Sequence, residues 1–308
     1  MKIIIAFFCI ILLCGCTCSP DLQASQNVDS VLTAEQDKFF IASNDNFTEK
    51  QNDAMTGYHV KDGILYYFES PVDPECEQLS LKDVELSDYS VLNQFVRLKA
   101  LFLDGSTVAD ISFLQYMPQL EDLSLLRCKN ITDFSYIRFC PQLNRLVLSG
   151  CTLERLPDMS TLSKLEVLLL NDTANLSTID GIGVLHSLKG IDLSFSELHD
   201  ISNISSLENL EYLNLWRCRN IKDFSPISGL HNITTLDLSQ TSFNDLNLLA
   251  SMGRLESLYL TETAIQDYTP LLDNNFPMLA DLQCDTSDAI DAIHKKYGDI
   301  LHTPEVVE

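Results

Sequence analysis

Ten cysteines and six histidines give this sequence its widest chemical reach, as thiolate nucleophiles, metal ligands or proton carriers. Their spacing argues against all three roles. His59, His186, His199, His231, His294 and His302 are scattered, and none makes the His-Glu-x-x-His spacing that sets two imidazoles on one helical face around zinc. No Gly-x-Ser-x-Gly elbow is present to hold a nucleophilic serine, and there is no phosphate loop or dinucleotide fingerprint. Cys128, Cys151 and Cys218 would have to converge on one point to bind a metal. Aspartate is abundant, but Asp110, Asp133, Asp200, Asp223 and Asp267 recur just before a Ser or Thr, which is the signature of a turn cap. Two carboxylates could still approach across strands, Asp192 with Asp237 for example. The expectation is a protein without a catalytic site, cofactor or metal.

The spacing that scatters the histidines orders the leucines. From Cys76 the pattern L-x-x-L-x-L returns with starts at 76, 98, 120, 143, 165, 188, 210, 233, 255 and 279, which are 22 to 24 residues apart. About nine consecutive units in register mark a repeat architecture. In each unit the leucines point inward and the middle residues make a short parallel strand. Stacking these strands gives one sheet on the concave side of a coil. No unit can bury its own leucines, so stability comes from neighbours and both ends need caps. The fold class expected is α/β, a leucine-rich-repeat solenoid with short 3₁₀ or irregular returns on the convex side.

This frame also assigns the cysteines. Position 9 of successive units reads Val84, Ser106, Cys128, Cys151, Thr173, Ser196, Cys218, Thr241 and Thr263. Small hydroxyl and thiol side chains at a tight turn can satisfy buried backbone groups. Cys128 and Cys151 lie one unit apart, with backbones about 5 Å apart, so a disulfide between them stays open beside the buried structural role. Cys140 takes an apolar frame position. Cys76 and Cys284 sit at opposite ends of the repeats.

The repeats resemble the 22-residue leucine-rich repeats of bacterial surface proteins, the internalin-like group, over about residues 76–285. No immunoglobulin-like module or LPxTG signal follows them here. The start of the chain suggests a different anchor. Met1-Lys2 and the apolar run Ile3 to Cys14 are too short for the roughly 20 residues of a membrane span and read as a signal peptide. The run ends Leu13-Cys14-Gly15-Cys16, which resembles the lipobox of bacterial lipoproteins. That resemblance makes Cys16 the lipidated N-terminus, with Cys14 an unusual residue within the motif. The layout expected is a signal peptide at 1–15, a flexible lipidated tether at 16–30, an N-terminal cap with helix and hairpin at 31–75, repeats at 76–285, and a C-terminal cap helix and tail at 286–308.

Strand positions 3, 5 and 7 turn away from the core and would form the binding surface. They place the only Trp, Trp216, exposed on the sheet with Tyr212, Phe195 and Tyr259 nearby. Phe102, Asp192 and Asp237 share these columns, and Arg127 and Arg217 follow the strand in equivalent places. Exposed aromatics of this kind commonly mark an interface; lateral packing within the sheet is the competing explanation. With 44 acidic residues against 20 basic and a formal charge of −24, the chain repels phosphate backbones, so nucleic acid is excluded as a partner class. The sequence points to an exported, membrane-anchored, monomeric binding protein whose partner is a protein or a glycan, acting in adhesion or host interaction. The alternative is a structural or assembly component of the bacterial envelope.

Overall fold

Leu79, Leu101, Leu123, Leu146, Leu168, Ile191, Leu213, Leu236, Leu258 and Leu282 pair one to the next in parallel register, and each is at most 4% exposed. This row forms the spine of a leucine-rich-repeat solenoid. The computed structural model describes residues 57–302, apart from 174, 275, 286–289 and 299. The signal peptide, Cys16 and its tether, the part of the expected N-terminal cap before residue 57, residues 286–289 of the expected C-terminal cap and the tail from residue 303 lie outside the described residues.

The described chain opens with strands β1 (Tyr58–Lys61) and β2 (Ile64–Tyr67), antiparallel across a turn in which Asp62 and Gly63 both have positive φ. Strand β3 (Ser70–Pro71) completes this small sheet. Leu65, 1% exposed, packs into the first unit with Tyr58, Val60, Val72 and Cys76 against it, so the hairpin closes the open end of the core. The large sheet then adds one short strand per unit: β4 (Gln78–Ser80), β5 (Ala100–Phe102), β6 (Asp122–Ser124), β7 (Arg145–Val147), β8 (Val167–Leu169), β9 (Gly190–Asp192), β10 (Tyr212–Asn214), β11 (Thr235–Asp237), β12 (Ser257–Leu260), β13 (Asp281–Cys284) and finally β14 (Leu301–His302). Its 11 strands are ordered as they occur in sequence.

Each return to the next strand is short because few residues remain. Most contain a 3₁₀ turn, as at Ser112–Tyr116, Ser135–Phe139, Ser202–Ser206 and Ser225–Gly229. The repeated aspartates start these turns. Asp110, Asp133, Asp200, Asp223 and Asp267 each accept a hydrogen bond from the backbone N–H two residues on, at 2.7–2.9 Å. The serine that follows helps hold the Asp133 and Asp223 carboxyls below the usual range, by side-chain and backbone hydrogen bonds. In the last unit a short helix α1 (Thr269–Asp273) replaces the 3₁₀ turn. Helix α2 (Ile290–Tyr297) caps the C-terminal end. Ile293 is fully buried, and the Lys296 ammonium donates to the carbonyls of Leu271, Leu272 and Asn274 at the end of α1.

Two columns at the end of each strand have little freedom. At position 8 the chain turns sharply off the sheet. Asp83, Gly105, Arg127, Gly150, Asp172, Phe195, Arg217, Gln240 and Glu262 all have φ between 53° and 68°. Only two are glycine. The other seven carry a Cβ in the left-handed region, which costs roughly 1–2 kcal/mol each. At Gly105 and Gly150 a second constraint operates: an added Cβ would run into the Asp83 carboxylate or sit 2.9 Å from the Arg127 Cγ.

Position 9 is, after Val84, the column of thiols and hydroxyls, buried in each unit but the one that holds half-buried Thr263. The thiols of Cys128, Cys151 and Cys218 reach back one unit to the carbonyls of Leu103, Leu125 and Leu193, at 3.0, 3.0 and 3.1 Å. Thr241 and Thr263 instead donate to the carbonyl three residues earlier in their own unit, Leu238 at 2.6 Å and Leu260 at 2.9 Å. The longer C–S bond and larger sulfur let a thiol span to the neighbouring unit, while a hydroxyl closes the local turn. Cys128 and Cys151 are free thiols, as are Cys76, Cys140, Cys218 and Cys284. Cys140 sits in a column with Met117, Leu162 and Leu185, each three residues before the next unit, and all are buried.

Two outcomes follow for stability. Asp172 is exposed and left-handed. Asp172→Gly should raise the unfolding free energy by about 0.5–1 kcal/mol, since relieved strain exceeds the added chain entropy, whereas Gly105→Ala should lower it; denaturant titration checks both. Burial pushes the thiols of Cys140 and Cys151 up to about 12 and those of Cys128 and Cys218 up to about 11, from 9.0. A thiol held neutral by the fold stabilises it below the unfolded pKa, and that stability is lost as pH rises toward the folded value. The denaturation midpoint should therefore show no thiol-linked change below pH 9.0 and fall between there and about 12. In the native chain these four thiols should resist alkylation at mildly alkaline pH, and mass spectrometry should find half-buried Cys76 modified before them.

Candidate concave recognition surface

The outward positions of β9 to β12 bring several of the expected site residues together. Phe195 and Trp216 meet edge to face, with ring centroids 4.6 Å apart at 76°. The Arg217 guanidinium lies over the Phe195 ring, 4.8 Å from its centroid. Phe195 and Arg217 are both position-8 residues, so the same left-handed turn aims them at each other across adjacent units. A phenylalanine in that conformation is a genuine outlier for a bulky side chain. Its contacts with Trp216 and Arg217 offset part of that cost. All three side chains are half-buried, with part of each surface open to solvent.

The expected exposure of the two tyrosines is corrected by the structure. Tyr212 is 2% exposed and Tyr259 is 3% exposed. Tyr212 stands between Gly190 and Thr235 in register, small neighbours that leave room for its ring to lie within the sheet face. Burial, then the nearby Asp192 and Asp237 charges, push its hydroxyl pKa well up. The Tyr259 hydroxyl donates to Asp281 Oδ2 at 2.7 Å. Both tyrosines are therefore built into the sheet face rather than forming the contact surface itself.

The acids of this face are also built into it. Asp192 Oδ1 accepts from the Ser194 N–H at 2.9 Å, Asn214 Oδ1 from Trp216 N–H at 2.9 Å, and Asp237 Oδ1 from Ser239 N–H at 2.8 Å. Asn214 Nδ2 donates on to Asp192 Oδ2 at 3.2 Å. Three adjacent strands thus end in the same side-chain-to-backbone turn, and the middle one fixes the backbone of Trp216. Burial pushes the Asp192 carboxyl above its usual range, with the bonds from Ser194 and Asn214 opposing it.

Phe102 and Arg127 lie elsewhere. Strand β5, which carries Phe102, is five strands from β10, roughly 24 Å along the sheet, and Phe102 is covered by the Lys82 ammonium at 5.2 Å. Arg127 is exposed over the glycine at position 150. It occupies the place in its unit that Arg217 has, but no aromatic ring precedes it at position 8, where Gly105 stands. Among the described residues, no group of three or more His, Cys, Asp or Glu gathers as metal ligands would, and no helix is long and apolar enough to cross a membrane.

Sequence reasoning missed Asn214 and the position-8 column. The glycines at 105 and 150, seven residues after a unit start, were the available signal for the left-handed turn. For Asn214 the signal was its place between Asp192 and Asp237 in one column.

The family described as leucine-rich repeats in two copies matches residues 186–229, the stretch that carries Phe195, Tyr212, Trp216 and Arg217. No curated protein matches the chain significantly. Among solved structures, an internalin of Listeria monocytogenes, InlF, aligns with a TM-score of 0.56 at 17% identity, covering 72% of this chain and 71% of its own. Internalin C2 of the same organism aligns with a TM-score of 0.52 at 21% identity, over 70% of this chain and 85% of its own. A plant peptide hormone receptor, RGFR1, solved in complex with RGF2, aligns with a TM-score of 0.51 at 18% identity, over 76% of this chain and 40% of its own. Carrying both the repeats and the stacked parallel sheet, this chain is a leucine-rich-repeat solenoid with an internalin-like fold.

Proposed function

We propose that this protein is a non-catalytic, surface-anchored binding protein that recognises a protein partner with the concave face of its repeats. The observation that carries the reading is the half-open group of Phe195, Trp216 and Arg217 on the concave side of the sheet. A well-packed monomer has little reason to leave its only Trp partly open. Held by Phe195 below and by the Asn214 bond to its backbone, Trp216 loses little conformational freedom on contact, so more of its burial appears as affinity. Trp and Arg in such settings dominate interface energetics. The plant receptor solved in complex with RGF2 supplies a precedent for ligand recognition on this fold.

The test uses the single Trp as its own reporter. Partners captured by the full chain from envelope and host-cell extracts are purified and titrated against it, following Trp216 fluorescence. Trp216→Ala should weaken binding by about 2 kcal/mol, roughly 30-fold, while Phe102→Ala, about 24 Å away, should change it little. An unchanged affinity in the Trp216→Ala protein would reject this face.

The same reading anchors the protein in a membrane through lipid on Cys16. Several acyl chains contribute about 0.8 kcal/mol per buried CH₂ and hold a protein stably at a membrane. Cys16→Ala should abolish metabolic labelling with palmitate and move the protein out of the membrane fraction. A labelled, membrane-bound Cys16→Ala protein would refute the anchor.

A further inference from the structure

The two halves of the concave face treat charge differently. In the first five units the outward positions hold two acids and two bases, and these pair: Lys82 with Asp104 at 3.2 Å and Arg145 with Asp122 at 3.0 Å. From Leu188 to Asp285 the same positions hold Asp192, Asp237, Asp281 and Asp285, with neither lysine nor arginine. The bases nearest this half are engaged at its margin. Arg217 stacks on Phe195, Arg219 donates to Gln240 Oε1 at 3.3 Å, and Lys189 pairs with Glu166 at 2.9 Å.

The backbone does not demand these charges. Asn214 makes the same strand-end bond as its neighbours, 2.9 Å against 2.9 and 2.8 Å for Asp192 and Asp237. A neutral amide therefore suffices for the turn. Keeping a carboxylate at 192 is unfavourable for the isolated protein, since burial raises its pKa. Asp237 is buried, while Asp192, Asp281 and Asp285 are half-buried and reach the surface on the half of the face that carries Trp216.

Resting on the concave-face reading above, we infer that the occupant of β9 to β13 is a polypeptide segment bearing several lysines or arginines, with an apolar residue set against Trp216. Charge complementarity commits the face to that partner. From Asp192 to Asp285 the sheet spans four strand spacings, roughly 19 Å, which about six extended residues cover. The cationic groups meet the half-buried carboxylates of Asp192, Asp281 and Asp285, with the charge of buried Asp237 behind them, and the apolar side chain closes over the Phe195–Trp216 pair. An acidic or phosphorylated segment would meet like charge along the whole half-face.

The experiment titrates the full chain in detergent with a capped peptide, Lys-Leu-Lys-Leu-Lys-Leu, and with its Glu-for-Lys counterpart, by Trp216 fluorescence. The lysine peptide should bind and the glutamate peptide should not. Replacing Asp192, Asp237 and Asp285 together by Asn keeps the turn acceptors and should weaken the lysine peptide at least tenfold. Gln283→Lys, which leaves every carboxylate in place, should weaken it severalfold. The control removes the same charge from the returns, Asp200→Asn, Asp223→Asn and Asp267→Asn, and should stay within twofold of the native chain. Equal losses in the control, or none in the concave variant, overturn the inference. The binding face and the basic partner fail separately: a native partner lost with Trp216→Ala but held by the Asn variant removes only the basic segment, while indifference to both changes removes the face as well.

Discussion

Leucine burial between neighbouring units is the interaction on which the rest of this protein depends. A single unit has too few residues to enclose its own apolar side chains, so Leu101 is covered by Leu79 and Leu123, Leu213 by Ile191 and Leu236, and so on along the sheet. Each fully buried leucine contributes about 1.5–3 kcal/mol, but only while its neighbours hold register. Register is therefore fixed by burial, since a one-residue slip would turn the leucines outward. The ends, which have one neighbour missing, are closed by Leu65 on the hairpin side and by Ile293 of α2 on the other.

Register in turn forces the local chemistry. With a strand of three or four residues and a unit length of 22 to 24, the chain must leave the sheet abruptly and return in few steps. The left-handed conformation at position 8 makes the departure, and the aspartate turns make the return. Both devices are repeated so regularly that they dictate residue type at some columns and leave others open. After Val84 in the first unit, position 9 is small and able to donate throughout, as Ser, Thr or Cys. Position 8 tolerates Asp, Arg, Gln, Glu and Phe because its side chain projects into solvent or onto a neighbour. The unit that begins at Leu143 shows how far the return can vary: it lacks a 3₁₀ turn and is tied to the next unit by a bridge between Arg155 and Thr178.

The solenoid was legible in the sequence because its cause is periodic. Leucines at fixed spacing, Asp before Ser in the returns, and hydroxyls or thiols at position 9 each report one packing requirement that recurs from unit to unit. The placement of individual concave side chains was less legible, because it depends on what stands in the adjacent unit rather than on the unit itself. Tyr212 is buried owing to Gly190 and Thr235 beside it, 22 and 23 residues away in sequence. Arg217 meets an aromatic ring while Arg127, in a nearly identical segment, has Gly105 at the equivalent place. A period predicts the column, and the contents of neighbouring columns decide exposure.

That distinction bears on how recognition can arise on such a scaffold. The frame residues are fully committed to burial, and position 9 to its carbonyls, so neither can change without loss of stability. Positions 3, 5 and 7 are less tightly constrained, and they differ from unit to unit: Ser124 and Val147 in the first half, Asp192, Asn214 and Asp237 in the second. Where adjacent free columns happen to cooperate, as Asp192 with Asn214, or Phe195 at position 8 with Trp216 at position 7, a local surface appears with its own shape and charge. Its side chains are held by neighbours on both sides, so it is rigid although it consists of variable positions. A periodic core thus supplies a fixed backdrop against which non-periodic chemistry can be read by a partner, and the aperiodic residues, not the repeat, carry the specificity.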